Sequence, residues 1–460
     1  MPDQSVDEIR KHPESSMTTN GHPTSSRAHG WIRYARAMIN PALTAVMLGA
    51  GNRGFDAYGN WALVHPERLK FVGIADSDPA KLERFGITHN IPPGHRFSSW
   101  QDLLAANLAP TAFIALPDQL HETAAISTLE AGYHLLLEKP VASTLEGTMR
   151  VAMAAEKSGK VVMLGYVLRH TPFFEKVREI VRSGQLGKIV TLEWRENVSS
   201  IHMSHSFVRG NWRNGATSSP MILAKCSHDL DLLGWVTGKR IAHVSSFGNL
   251  EYFRHENAPE GVPERCLDGC PIEETCVFHA AKIYLTASTE WPSRTITTDL
   301  SLEGRRLALE TTNYGRCVYK AGNDVVDNQV VSFAFEDGGT GTLTMHGHSS
   351  VEGRAIRIDG SQATLRGIFR NDRQEIRIEP HDLEAMNSGR GEVVEIEVSK
   401  DGHGGGDAGL SEAFVRAVLE QSREATNSIL ESHLLAFAIE RARLENRVVN
   451  MTDFRTQSTP

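Results

Sequence analysis

Leu43-Thr44-Ala45-Val46-Met47-Leu48-Gly49-Ala50-Gly51-Asn52-Arg53-Gly54 is the stretch on which the fold turns. The apolar run Ala45–Leu48 reads as a strand, and the glycine-rich turn behind it opens a helical stretch. In that context each glycine has a physical reason. Gly49 permits the tight turn, Gly51 lets backbone approach a pyrophosphate, and Gly54 lets the helix pack on the strand. Asn52 and Arg53 then stand at the helix N-terminus, whose free N–H groups suit anionic phosphates. The next strand ends in Ile74-Ala75-Asp76, 22 residues past Gly54. A carboxylate there accepts both ribose hydroxyls, which favours NAD, while Ser77 or Lys81 leaves room for the 2′-phosphate of NADP.

Outward from this turn, short apolar runs alternate with amphipathic stretches up to Leu164. Strands are expected at Ala45–Leu48, Phe71–Ala75, Thr111–Ala115, His134–Leu137 and Val161–Leu164. Helices are expected at Lys81–Phe85, Trp100–Ala105, His121–Ala131 and Leu145–Ser158. This alternation marks an α/β fold, a parallel Rossmann sheet with helices on both faces. After Gly165 the texture changes. A helix at Pro172–Arg182, a strand at Ile189–Glu196 and a helix around His228–Trp235 come first. Strands follow at Ile241–Asn249, Gln329–Glu336, Gly341–His346, Ile356–Asp359, Gln362–Arg366 and Glu375–Glu379. Helices at Gly409–Gln421 and Ser428–Glu445 close the chain. Strands grouped between helices predict an α+β second domain on a largely open sheet. Phe253–Cys276 and Asn387–Gly409 read as long loops, which are often functional.

The length of 460 residues suits two domains, because single cores seldom grow past about 250–300 residues. The expected division is a disordered tail over 1–40, a Rossmann dinucleotide-binding domain over 41–165, and an α+β substrate-binding and oligomerisation domain over 166–460. The tail is rich in Ser, Thr, His and Pro, with Asp3, Asp7, Glu8 and Glu14 opposing a transit role. A net charge of −8 argues against nucleic acid and anionic membrane as partners, and no apolar run is long enough for a membrane span. Five cysteines form no disulfide framework, so a reducing, cytoplasmic setting is expected.

Glu138-Lys139-Pro140 ends the fifth strand, about ninety residues after the glycine turn. An X-Pro bond can be cis at modest cost, and a sharp turn at a strand's C-terminal end is where α/β sites lie. The order of elements around it resembles the Gfo/Idh/MocA oxidoreductases: Leu116-Pro117-Asp118 with His121, then Gly132-Tyr133-His134, then Arg169 and Pro172. The resemblance runs from about Leu43 to Met451. It implies that Leu116, Pro117, Asp118, His121 and Glu138 help hold the cofactor, and that Lys139 touches cofactor and substrate. It also implies a cis Lys139-Pro140 bond and pairing of subunits through the open face of the second sheet.

The run Leu223-Ala224-Lys225-Cys226-Ser227-His228 resembles the family's Asp-x-x-x-His, whose histidine takes the substrate proton. His228 matches, but Ala224 stands at the acidic position. Lys225 beside it is expected to lower the His228 pKa by repulsion, or to be the proton acceptor itself if desolvated. Arg169, Asn197, His205, Trp212 and Arg213 are candidate substrate residues, as polar and indole groups suit a hydroxyl-rich ring. His403 and Asp407 in Gly402-His403-Gly404-Gly405-Gly406-Asp407 join them. His202-x-x-His205 lacks a neighbouring carboxylate to complete a metal pair.

Cys266, Cys270, Cys276 and His279 place four soft ligands within fourteen residues, a set open to unliganded packing cysteines, structural zinc or a disulfide, and Cys317 stands apart. The leading reading is an NAD(P)-dependent dehydrogenase acting on a secondary alcohol of a sugar, polyol or related ring. An NAD-dependent glycosidase working by transient oxidation is the second, since His-Gly-Gly-x-Asp at His403 resembles a segment of such relatives. A catalytically idle dinucleotide-binding sensor is the third.

Overall fold

The computed structural model describes residues 41–399, 401–426 and 430–458. The expected tail and the Ser428 start of the last expected helix lie outside them. The described residues from Leu43 onward form one compact unit holding both sheets.

The first sheet is parallel throughout and comprises β1 (Leu43–Leu48), β2 (Leu69–Ala75), β3 (Arg96–Phe97), β4 (Thr111–Ile114), β5 (His134–Leu137) and β6 (Val162–Leu164). Its spatial order is β3-β2-β1-β4-β5-β6, so the chain reverses direction across the sheet between β1 and β4. That crevice is where α/β sheets bind ligands. β1, β4 and β5 are buried nearly end to end, as a sheet covered on both faces requires. β3 has no apolar run to announce it. The covering helices are α1 (Pro79–Thr88), α2 (Trp100–Ala105), α3 (Asp118–Glu130) and α4 (Leu145–Ser158). Helix α1 starts two residues before the expected Lys81, because Asp78 caps Ala80 N and Pro79 fits the first turn.

The second sheet is mixed. Its strands are β7 (Ile189–Ser199), β8 (Ile241–Asn249), β9 (Asn328–Phe335), β10 (Thr340–Ser349), β11 (Gly353–Gly360), β12 (Ala363–Arg370), β13 (Gln374–Pro380), β14 (Glu392–Val394) and β15 (Val449–Asn450). They lie in the order β14-β13-β12-β11-β7-β10-β9-β8-β15, with β7 and β10 parallel at the centre. On β7, Trp194, Glu196 and Val198 are buried, while Glu193 and Arg195 on the other face are exposed. The helices here are α5 (Pro172–Ser183), α6 (Ser227–Thr237), α7 (Gly406–Glu420) and α8 (Glu431–Glu445). Between β8 and β9, the long loop expected at Phe253–Cys276 leads into short helices at Ala280–Tyr284 and Leu302–Thr311 with a small core of their own. No helix among the described residues is long and apolar enough to cross a membrane.

Helix α5 locks the second sheet. Thr171 Oγ1 caps Phe174 N at 3.2 Å, and the fully buried Phe174 ring stacks on Trp194 at 5.9 Å. Phe174→Ala should therefore cost about 3–5 kcal/mol, read as the loss of unfolding free energy in chemical denaturation.

Candidate active site

The three glycines differ in their surroundings. Gly49 has φ +94°, and a Cβ there would stand 2.5 Å from Ala115 O. A Cβ on Gly54 would stand 2.0 Å from Gly49 O, whereas one on Gly51 meets nothing within 4 Å. Turn, close packing and open approach thus fall on the first, third and second glycine, and this cradle fits a diphosphate. Asp76 lies beside it, with Oδ2 accepting from Ala50 N at 2.7 Å and Oδ1 from Asp78 N at 2.9 Å. Asn52 Nδ2 donates to Asp56 at 2.7 Å.

Arg53 is engaged differently from the expected phosphate contact. Its Nε donates to Glu138 Oε1 at 2.6 Å, and Nη1 pairs with Asp407 Oδ1 at 2.8 Å. Tyr58 OH donates to the same Glu138 oxygen at 2.6 Å. Burial alone would raise the Glu138 carboxyl, but Arg53 and Tyr58 override it and hold it below its ordinary value. Asp407 is likewise held far down against burial by His403 and Arg53. His403 sits at φ +53°, half exposed, with Nδ1 3.0 Å from Asp407 Oδ2.

His121 also departs from the expected cofactor contact. Its ring nitrogens face the carbonyls of Pro140 at 2.6 Å and Leu116 at 2.8 Å, clamping two turns together. Pro117 caps α3, and Leu116 packs beside Gly49. Asp118 Oδ2 accepts from Trp212 Nε1 at 3.0 Å and from the hydroxyls of Ser218 and Ser219. Trp212 is therefore joined to the first sheet through Asp118.

The Lys139-Pro140 peptide is cis. Lys139 Nζ donates to Ala224 O at 2.7 Å, so the residue at the missing acidic position supplies its carbonyl. Burial lowers the Lys139 pKa, and Asp118 and Glu138 only partly oppose it. His228 Nδ1 is buried without a partner, which leaves Nε2 as the nitrogen with access. Burial first, then the charges of Lys139, Arg354, His403 and Lys225, hold the His228 pKa well below its ordinary value. The imidazole is neutral at pH 7.

Lys225 corrects an expectation. It pairs with Glu352 at 2.9 Å and Glu196 at 3.1 Å, and these carboxylates raise its pKa in spite of burial. A lysine held as ammonium is no proton acceptor. It is part of a buried network in which Arg354 bridges Asp229 and Glu196, each at 2.7 Å, and Trp194 Nε1 donates to Asp229. Burial pushes Glu196 up to about 7 against the pull of Arg354 and Lys225. His202 Nδ1 lies 2.9 Å from Glu352, so the carboxylate absent from its sequence neighbourhood arrives from the β10–β11 turn. Sequence reasoning missed Glu352 and Arg354, which stand far from any motif.

Several expected substrate residues are used structurally. Arg169 grips Asp231 with two nitrogens, Nε at 2.6 Å. Asn197 bonds His346 at 3.0 Å on the face of β7 opposite Glu196. His205 lies between Tyr284 OH at 2.8 Å and Thr295 Oγ1 at 3.0 Å, and burial lowers its pKa to about 3. Arg213 bonds the Gly210 carbonyl.

The expected zinc site is not upheld. His279 Nε2 is turned to Cys266 O at 2.7 Å, and Arg209 Nη2 stands 3.5 Å from Cys266 Sγ, where its charge repels a second cation. Among the described residues no group of three or more His, Cys, Asp or Glu side chains is arranged to hold a metal, and the cysteines are free thiols. Cys317, which stands apart in sequence, lines the same small cavity as Cys266, Cys270 and Cys276.

A diphosphate cradle at the sheet's reversal point, with a lysine and a neutral histidine beside it, defines a dinucleotide-dependent oxidoreductase. Residues 43–166 match the family model described as the oxidoreductase family, NAD-binding Rossmann fold, and 174–277 match the GFO/IDH/MocA C-terminal domain. The chain belongs to the Gfo/Idh/MocA oxidoreductases. It is 21% identical over 364 residues to the oxidoreductase YteT of Bacillus subtilis, covering 75% of this chain and 81% of that one. It is 27% identical over 214 residues to an inositol 2-dehydrogenase of Corynebacterium glutamicum, covering 45% of this chain and 57% of that one. An aldose-aldose oxidoreductase from Caulobacter crescentus, solved with glycerol, aligns with a TM-score of 0.62 at 16% identity, over 89% of this chain and 99% of that one.

The glycine geometry separates binding from folding. Gly51→Ala should leave the melting temperature unchanged but weaken NAD binding at least about tenfold, read by fluorescence titration. Gly54→Ala, overpacked against backbone, should cost about 1–3 kcal/mol or more of stability in thermal or chemical unfolding.

Proposed function

We propose that this chain oxidises a secondary alcohol of a sugar, polyol or related hydroxylated ring with NAD, or reduces the corresponding ketone in reverse. The observation that carries this reading is the pairing of Lys139 with the 224–228 segment: a half-buried ammonium and a neutral imidazole with one accessible nitrogen. A dinucleotide held by its diphosphate at the Gly49–Gly54 cradle would supply, through its nicotinamide, the acceptor for the hydride. Lys139 donates a hydrogen bond to the substrate oxygen and stabilises its developing negative charge. His228 Nε2 takes the hydroxyl proton, a task for which its depressed pKa keeps it unprotonated. Asp76 favours NAD over NADP. The inositol dehydrogenase and aldose-aldose oxidoreductase relatives point to hydroxylated carbon chains and rings as the substrate class. Pairing of subunits through the open face of the second sheet belongs to the same reading, and Phe247 and Val330 are exposed there.

One observation favours NAD-dependent glycoside cleavage as a second reading. His403, held by Asp407, contributes to the lowered His228 pKa, which supports a second imidazole taking part in the chemistry. A cofactor that stays bound, without NADH accumulation but with release of an aglycone, would select this reading.

The test follows NADH formation against a panel of sugars and polyols. Lys139→Ala and His228→Ala should each lower kcat by about 10²–10⁴ while the melting temperature holds. Because the imidazole is active when neutral and its pKa lies below 6.5, kcat/KM for oxidation should show no acid limb centred near 6.5. A midpoint at 6.5 that disappears in His228→Ala would show the ring to be solvated and its lowered pKa wrong, whereas one that persists in His228→Ala would assign the titrating base to another group.

A further inference from the structure

The segment between the short helices Ala280–Tyr284 and Leu302–Thr311 reaches back to the first sheet. Arg294 Nη2 pairs with Asp56 at 3.1 Å, and Asp56 in turn accepts from Asn52 beside the glycine cradle. This strap carries Trp291, which is 46% exposed although indole is mostly buried in folded chains. Its ring is not loose. It stands perpendicular to His202 at 5.3 Å and to His205 at 5.6 Å. His205 is itself fixed by Tyr284 and Thr295 and stacked on Tyr314 at 5.0 Å, and His202 is fixed by Glu352. His202 shares Glu352 with Lys225, and the carbonyl of the preceding residue, Ala224, accepts from Lys139 Nζ at 2.7 Å, which links this aromatic pair to the lysine of the reaction centre.

An indole held by two imidazoles yet 46% exposed, on a strap linked to the reaction centre, is suited to an apolar ligand surface. Hydroxylated rings offer one: their C–H bonds gather on a flat face while the hydroxyls point outward. Open-chain polyols present no such face without losing conformational freedom.

We propose that Trp291 is the platform on which the C–H face of a cyclic substrate seats, so that the chain selects cyclic sugars or cyclitols over open-chain polyols. This rests on the dehydrogenase reading above. The strap ties the platform to the nucleotide loop through Arg294 and Asp56, so ring and reactive centre keep a fixed spacing. His205 and Tyr314, used by neither cofactor nor proton transfer, act as positioning residues beneath it.

The experiment measures kcat and KM for a cyclic and an open-chain polyol in the wild type, Trp291→Ala, Trp291→Leu and Trp291→Phe. Trp291→Ala and Trp291→Leu should each raise KM for the cyclic substrate about tenfold or more, with kcat within about threefold and NAD affinity unchanged. Trp291→Phe should restore KM to within about threefold, and open-chain polyols should change by less than about twofold. Leucine keeps apolar volume without an aromatic face, so it serves even if alanine loosens the strap. A wild type that turns over cyclic substrate while both variants leave KM within about twofold would overturn the platform alone. A wild type that oxidises no sugar or polyol would overturn the dehydrogenase reading, and Trp291's role with it.

Discussion

The Arg53 guanidinium joins parts of the chain that sequence keeps far apart. It follows the glycine cradle, pairs with Glu138 just before the reactive lysine, and pairs again with Asp407 at the start of α7. Tyr58 closes the same junction from the helix behind the cradle. Taking these charges from water is costly, and only the full set of partners repays it. The arrangement is therefore cooperative: cradle, lysine turn and His403 loop take up their places together. Lys139 depends on this junction, because the neighbouring Glu138 carboxylate cannot rotate away without leaving Arg53 half paired.

Electrostatics then divides the labour among neighbours of similar chemistry. Lys139 and Lys225 are both half-buried lysines, yet their pKa values move in opposite directions. Lys225 has two carboxylates in direct contact, while Lys139 has a carbonyl as its contact and carboxylates only at a distance. One is a fixed structural charge and the other remains responsive to what binds beside it. His228 and His205 are both kept neutral by burial. His205 has two hydrogen-bond partners and is inert in its place, whereas His228 has none and keeps one nitrogen accessible.

The first sheet was legible because its signals are local. The glycine turn, Asp76 and Glu138-Lys139-Pro140 each mark a place where backbone geometry demands particular residues, and the structure sets them at the same crevice. His228 was legible for the same reason, as part of a short motif. Lys225 does lower the His228 pKa as expected, but it was misread as a possible proton acceptor because sequence shows its neighbours along the chain, not Glu196 and Glu352 across β7 and the β10–β11 turn. His205, in a helical turn, is taken up by Tyr284 and Thr295 from far along the chain. Asn197 failed on orientation. A strand shows two faces, and composition does not say which one meets the site. The zinc expectation failed on Arg209 and His279, since spacing counts ligands but not what else fills the space between them. Trp291 lies in a segment without periodicity, and only its packing against His202 and His205 distinguishes it from any exposed tryptophan.

The partner chosen for Lys139 has a consequence of its own. A main-chain oxygen carries no proton and no formal charge, so the tether at Ala224 does not titrate across any accessible pH. Nor can it be deleted by exchanging one side chain for another, since every amino acid brings the same oxygen. The lysine's anchor is thus written into the path of the backbone before α6. It persists through sequence drift at position 224 for as long as that path is kept.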